Sequence, residues 1–214
     1  MNIIIFGPPG AGKGTQSNYI VSKYKLFQLS TGDILRKEME KKSQLGMRIS
    51  QLMDSGNLVS DEIVSKLVET IISNKEYKNR IVFDGYPRNL KQAKDLESLL
   101  TSHKQKINLV LNLKVNLETI KKRIIGRYIC YKCGKIYNKF FNPAPKNDNC
   151  CSEKFLQKRK DDNVDVLIKR FETYKKDTEP VLNFYNELKL LKEVNGENSI
   201  DQICKEISDI MALI

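Results

Sequence analysis

A three-layer α/β fold, a parallel sheet with helices on both faces, is predicted by two observations. The first is that five short apolar runs, at 2–6, 27–29, 81–84, 108–113 and 190–194, alternate with helical patterns. The runs at 2–6, 81–84 and 108–113 are nearly all apolar, as strands covered on both faces should be. The second is a glycine-rich turn, Gly7-Pro8-Pro9-Gly10-Ala11-Gly12-Lys13-Gly14-Thr15, between the first run and a helical pattern at 16–24. Such a turn aims several backbone N–H groups at one point at a helix N-terminus. That is a P-loop, an anion cradle, and Lys13 adds a point charge that reaches a terminal phosphate. The turn therefore predicts a bound nucleoside triphosphate.

Each further element follows from the residues in order. Residues 30–59 are helical and polar, opened by Ser30-Thr31-Gly32-Asp33 and closed near Gly56, and read as an insertion on the sheet. The run at 81–84 ends in Asp84. A carboxylate at the C-terminal edge of a parallel strand beside a P-loop orients hydrated Mg²⁺, and Arg88 follows it into the same crevice. Residues 127–163 lose the helical pattern and carry four cysteines, Gly134, Pro143 and Pro145, which marks a second insertion. The core is then expected at 1–29, 60–126 and 164–214. Thr178-Glu179-Pro180 predicts a turn or kink between two C-terminal helices. Ile203, Ile207, Ile210 and Met211 follow helical spacing and read as core, as does Cys204. His103, the only histidine, lies in a polar connection and is expected in solvent.

Composition limits the function classes. At 214 residues, 40% hydrophobic and 29% charged, the chain suits one soluble domain with insertions. No apolar run approaches the ~20 residues needed to span a bilayer, so no membrane partner is expected. A strand at the N-terminus leaves no room for a leader, which makes the cytoplasm the expected compartment. The net charge of +11 predicts a phosphate-rich partner. Only 8 of the 37 basic residues are arginine, the side chain whose planar fork fits phosphate oxygens. The absence of aromatics interleaved with a basic stripe argues against nucleic acid.

Cys130, Cys133, Cys150 and Cys151 fall within 22 residues and begin with C-x-x-C. That clustering favours a metal over disulfides, and a tetrahedral Zn²⁺ would pin an irregular segment with little core of its own.

These motifs, in this order, resemble the adenylate kinase family. Residues 7–16 resemble its phosphate loop, including Gly14 after the lysine, which departs from the general P-loop pattern. Thr31-Gly32-Asp33-Ile34-Leu35-Arg36 resembles its T-G-D-x-L-R segment. Asp84-Gly85-Tyr86-Pro87-Arg88 with Gln92-Ala93 resembles its D-G-[FY]-P-R…Q-A. Ile125-Gly126-Arg127, Arg159-Lys160-Asp161-Asp162 and Arg170 resemble the edges of its lid. The resemblance implies reversible Mg²⁺-dependent transfer, ATP + AMP giving two ADP, by a monomer acting on free nucleotides. It implies that Gly10, Ala11, Gly12, Lys13, Gly14 and Thr15 hold the ATP phosphates. Arg127, Ile136, Tyr137 and Asn198 would contact ATP. Thr31, Arg36, Asn57, Leu58, Val59, Gly85, Tyr86, Pro87, Arg88, Gln92, Arg159 and Arg170 would contact AMP. Lys13, Asp84, Arg88, Arg123, Arg159 and Arg170 would surround the transferring group. Residues 30–59 would be the AMP-binding insertion and 127–163 the lid. Six of the eight arginines fall at matched positions; Arg48 and Arg80 do not.

Some family members carry a zinc-binding lid with C-x₂-C-x₁₆-C-x₂-[CD]. Here the first three ligands match, and the fourth position falls on Glu153. Cys151 is the softer ligand and is preferred, with Glu153 as the alternative. Two other functions remain open from sequence. One is a GTP:AMP or other nucleoside monophosphate kinase; the other is a zinc-knuckle nucleic-acid-binding ATPase.

Overall fold

The computed structural model describes residues 1–41, 43–55, 57–146, 149–159 and 162–214. Gly56, expected to close the first insertion, and Lys160 and Asp161, expected at the lid edge, lie outside the described residues.

The order of elements is β1 (Asn2–Phe6), α1 (Lys13–Tyr24), β2 (Phe27–Ser30), α2 (Thr31–Glu40), α3 (Gln44–Asp54), α4 (Asp61–Ile72), β3 (Ile81–Asp84) and α5 (Leu90–Ser102). Then come β4 (Ile107–Lys114), α6 (Leu117–Ile125), β5 (Arg127–Cys130), β6 (Ile136–Asn138), β7 (Leu156–Gln157), α7 (Val164–Thr173), α8 (Glu179–Glu187), β8 (Leu191–Asn195) and α9 (Ile200–Met211). The five expected strands form one sheet in the order β2-β3-β1-β4-β8, all pairs parallel.

Strand β1 shows why both faces need covering. Its side chains alternate across the sheet. Ile3 and Ile5 pack with Ile20 of α1 and with Ile203, Ile207 and Met211 of α9. Ile4 and Phe6 pack on the other face with residues of α4, α5 and α8, including Val68, Leu96 and Tyr185. A strand with apolar residues on both sides has no face to give to water. All five C-terminal strand ends therefore emerge on one edge, where β1 runs into the P-loop and β3 ends in Asp84.

Three local differences from expectation have physical causes. Helix α1 begins at Lys13, ahead of the expected Gln16, because Gly12 at φ 98° acts as its N-cap and lets the chain turn helical at once. The junction at 178–180 does not break the helix. Residues Tyr174–Thr178 form a π-helical turn that carries α7 into α8, and Pro180 sits in the first turn of α8, where its missing N–H is harmless. Cys204 is half-buried rather than core, with its thiol 3.3 Å from Gln16 Oε1 of α1.

Strands β6-β5-β7 make a separate three-stranded antiparallel sheet within 127–163. Its core is small: Cys130, Tyr137 and Cys151 are buried, with Phe155 and Leu156 packed against them. Among the described residues, no helix is long and apolar enough to cross a membrane.

Candidate active site

The C-terminal edge of the main sheet opens into a cleft of about 820 Å³. Its floor is the phosphate loop. Gly10 has φ 84°, and a Cβ there would press on Ile120 and Ile124 of α6 at 3.0–3.1 Å, so only glycine fits. Helix α1 starts from Gly12 with no side-chain cap and no acidic residue in its first turn. Six other helices are capped by a serine or asparagine side chain: α2, α3, α5, α6, α7 and α9. The first-turn N–H groups of α1, with its positive dipole end, are thus left for an anion. The Lys13 ammonium donates to Gly7 O at 2.6 Å and Pro8 O at 3.0 Å, which leaves its third N–H for a phosphate.

All six matched arginines line this cleft: Arg36 from α2, Arg88 from the β3–α5 turn, Arg123 from α6, Arg127 from β5, Arg159 from the loop after β7 and Arg170 from α7. The other two do not. Arg48 is exposed on α3, and Arg80 donates to Lys25 O at 2.6 Å. The gathered charges oppose one another. Burial, then Arg88, Arg170 and Arg127, push Lys13 down to about 8 against the pull of Asp84. Burial, then Arg170 and Arg36, push Arg88 down to about 10. Arg159 is pushed to about 10 by burial, Arg127 and Arg36. Among the described residues, the buried Arg159 Nε has no hydrogen-bond partner. A buried donor without an acceptor is costly, and a polyanion would satisfy it while reversing the mutual repulsion.

Asp84 stands beside the loop. A Cβ on Gly14 would lie 3.9 Å from Asp84 Oδ2 and 3.7 Å from Ile136 Cδ1, so strand β6 leans over the phosphate loop. Burial pushes the Asp84 carboxyl up, and Lys13 opposes the shift. Gln28 Nε2 donates to Oδ2 at 3.0 Å. The register explains the contact: Gln28 pairs with Val82, which makes Asp84 its diagonal neighbour on the same face. Gln28 was not expected in the site; a polar residue one place before buried Leu29 is its only sequence signal. This hydrogen bond favours the charged carboxylate. Replacing Gln28 with leucine is expected to raise the Asp84 pKa further, moving the acid limb of the kcat/KM–pH profile to higher pH and weakening Mg²⁺ dependence. An unchanged acid limb in a well-folded Gln28→Leu variant would remove that role.

Gly10, Ala11, Gly12, Lys13, Gly14, Thr15, Ile136, Tyr137 and Asn198 line the cleft toward the loop. Asn57, Leu58, Val59, Gly85 and Pro87 line it elsewhere. Thr31, Tyr86 and Gln92 stand behind the wall. Thr31 Oγ1 donates to Gly85 O at 2.9 Å, and Tyr86 Oη donates to Gln92 O at 3.4 Å. Gln92 accepts from Arg88 N at 2.7 Å and donates to Asp61 Oδ1 at 2.5 Å.

Asp162 and Asp33 belong to the matched motifs, but their partners were not foreseen, nor was Phe141. Asp162, almost fully buried, takes Arg127 in a two-pronged ion pair, with Nε to Oδ2 at 2.7 Å. Phe141 lies under the Arg123 guanidinium at 5.5 Å, while Arg123 also donates to Ala11 O and Gly196 O at 2.9 and 2.7 Å. Asp33 pairs with Arg36.

The adenylate kinase family model matches residues 5–190. The chain belongs to the adenylate kinase family. This family member is 47% identical over 211 residues to the adenylate kinase of Pelagibacter ubique, covering 99% of each chain. It is 40% identical to the adenylate kinase of Methanosarcina barkeri over 99% of this chain and 98% of the relative. For the adenylate kinase of Bacillus cytotoxicus the identity is also 40%, over 97% and 96%.

In this family member, the sulfur atoms of Cys130, Cys133, Cys150 and Cys151 lie within 4.8 Å of one another. Sulfurs about 2.3 Å from a tetrahedral ion sit roughly 3.8 Å apart, so the cluster fits one. Cys133 and Cys151 are 3.4 Å apart, and none of the five cysteines is in a disulfide. The knuckle is preformed: Gly134, at φ 74°, donates to Cys130 O at 2.8 Å. A backbone hydrogen bond at Lys135, then Cys151, pull the Cys133 thiol down to about 7. Glu153, the alternative fourth ligand, starts a 3₁₀ turn and falls outside this cluster.

Proposed function

We propose that this chain catalyses reversible Mg²⁺-dependent phosphoryl transfer, ATP + AMP giving two ADP. The observation that carries the reading is the convergence of the phosphate loop, Asp84 and six arginines from six separate segments on one cleft. The donor phosphates rest on residues 10–15, with Ile136, Tyr137 and Arg127 on the lid side and Asn198 of the core toward the adenine. AMP lies against Arg36, Arg88 and residues 57–59, with Thr31, Tyr86 and Gln92 shaping the wall from behind. Residues 30–59 and 127–163 work as the AMP-binding insertion and the lid.

The chemistry asks for position and charge rather than a base. An oxygen of the AMP phosphate bonds to the γ-phosphorus as the bond to the departing ADP oxygen breaks. The attacking phosphate is already ionised. Lys13, Arg88, Arg123, Arg159 and Arg170 neutralise the charge spread over the transferring group, and the lid keeps water out. Asp84 is the residue that would hold hydrated Mg²⁺, which supplies further neutralisation. Asp84 fits because Gln28 occupies only Oδ2, and no described residue donates to Oδ1. The cysteine cluster holds structural Zn²⁺ through four thiolates, leaving no open position for catalysis.

The enzyme acts as a cytoplasmic monomer on free nucleotides, without a nucleic-acid or membrane partner. A coupled assay tests the reading. ADP formation from ATP that requires AMP is expected, with GTP a poorer donor. ATP turnover stimulated by RNA or DNA and indifferent to AMP would overturn it.

A further inference from the structure

We infer that Thr178 is a positioning residue: its hydroxyl, carried on the π-helical turn, holds the Arg88 segment against the Arg170 segment across the cleft. This rests on the proposed phosphoryl transfer for its catalytic consequence, but not for its geometry.

Thr178 is 7% exposed, and its Oγ1 donates to Arg88 O at 2.8 Å across 90 residues of sequence. Thr178 has right-handed helical backbone, φ −98° and ψ −39°, and passes the π-helical turn straight into α8, so its side chain caps no free helix end. The wide turn sets where its hydroxyl points. Glu179 N donates to Tyr174 O, a five-residue step, and the extra residue turns Thr178 inward. Thr173, Tyr174 and Thr178 all face the cleft as a result.

Arg88 is fixed at two other points. Its N–H donates to Gln92 Oε1 at 2.7 Å, and its Nε donates to Gly85 O at 2.8 Å. Asp61 in turn anchors Gln92. All of these partners lie on the Arg88 side of the molecule; the hydroxyl of Thr178 joins that side to the helix bearing Arg170. The joint works against a force. Arg170 is the largest charge effect on Arg88 and lowers its pKa, so the two guanidinium groups repel. A cage that must converge on one phosphoryl group needs a bond holding such segments together, and misplacement by about 1 Å costs about 10²-fold in rate.

The test compares Thr178→Val, which keeps the shape and loses the donor, with Thr178→Ser, which keeps the donor. Valine is expected to lower kcat ~30-fold, with KM for ATP within about twofold; serine is expected to stay within about threefold of the parent. In an Arg88→Ala background, Thr178→Val is expected to change kcat less than about twofold, because the residue being positioned is gone. The Arg88 Nε–Hε NMR signal, assigned by its loss in Arg88→Lys, is expected to shift and broaden in Thr178→Val but not in Thr178→Ser. This readout holds whatever reaction the parent catalyses. A parent lacking AMP-dependent activity, with that NMR pattern present, would count against the proposed function alone. An unchanged signal, or an equal kcat loss with and without Arg88, would overturn the positioning role.

Discussion

Arg88→Ala is expected to lower kcat by about 10³-fold, the range seen when a phosphoryl-stabilising arginine is removed. Affinity for ATP and AMP is expected to change far less. The structure gives the reason for the asymmetry. Arg88 is half-buried, its pKa is pushed down to about 10, and it is held through its backbone N–H, its backbone carbonyl and Nε. Its fixed ends leave the guanidinium terminus to face the cleft. Ground-state phosphates also have the loop amides, Lys13 and the other arginines. The charge that develops during transfer needs every donor already in place, since a preorganised dipole requires no rearrangement at that moment. Steady-state kinetics in both substrates, with calorimetric binding of each nucleotide, separates the two effects. A loss confined to affinity, with kcat intact, would assign Arg88 to binding alone.

Cys130→Ser is expected to abolish metal binding in the lid. The parent should carry one zinc per chain by atomic emission, and the variant close to none. Cys130 is fully buried in a core of very few residues, so the sheet β6-β5-β7 has little else to hold it. Structural zinc contributes roughly 10–16 kcal/mol in isolated fingers. Loss of about a third of the low end, ~3 kcal/mol, would shift Tm by ~10 °C if the lid melts with the core. Limited proteolysis between residues 127 and 163 should also speed up on chelation. Zinc near zero in the parent, with lid proteolysis indifferent to chelator, would falsify the metal assignment.

The local parts of this site were legible in the sequence because each is a short segment with its own rules. A buried strand, glycines at positive φ and a following lysine specify the phosphate loop without reference to the rest of the chain. Arginine is scarce among the lysines, the family resemblance matched six of the eight, and all six line the cleft. The four cysteines were equally plain; ligand softness favoured Cys151 with Glu153 as the alternative, and the fold of the turn groups Cys151 with the other three.

What stayed hidden depends on partners brought together by topology. Gln28 meets Asp84 across 56 residues, Asp162 meets Arg127 across 35, and Thr178 meets Arg88 across 90. Gln92 shows the same limit from the other side: its motif was clear, but its amide hydrogen bonds bind Arg88 and Asp61 rather than facing the cleft. The sequence by itself determined the layers, the phosphate loop and which residue types carry charge, because periodicity and backbone freedom act over a few residues. Only the tertiary structure decided which side chains hold those charges in place. Hydrogen bonds reach about 3 Å, and only the completed sheet, with its parallel register and the π-helical turn beside it, brings residues so far apart in sequence within that distance.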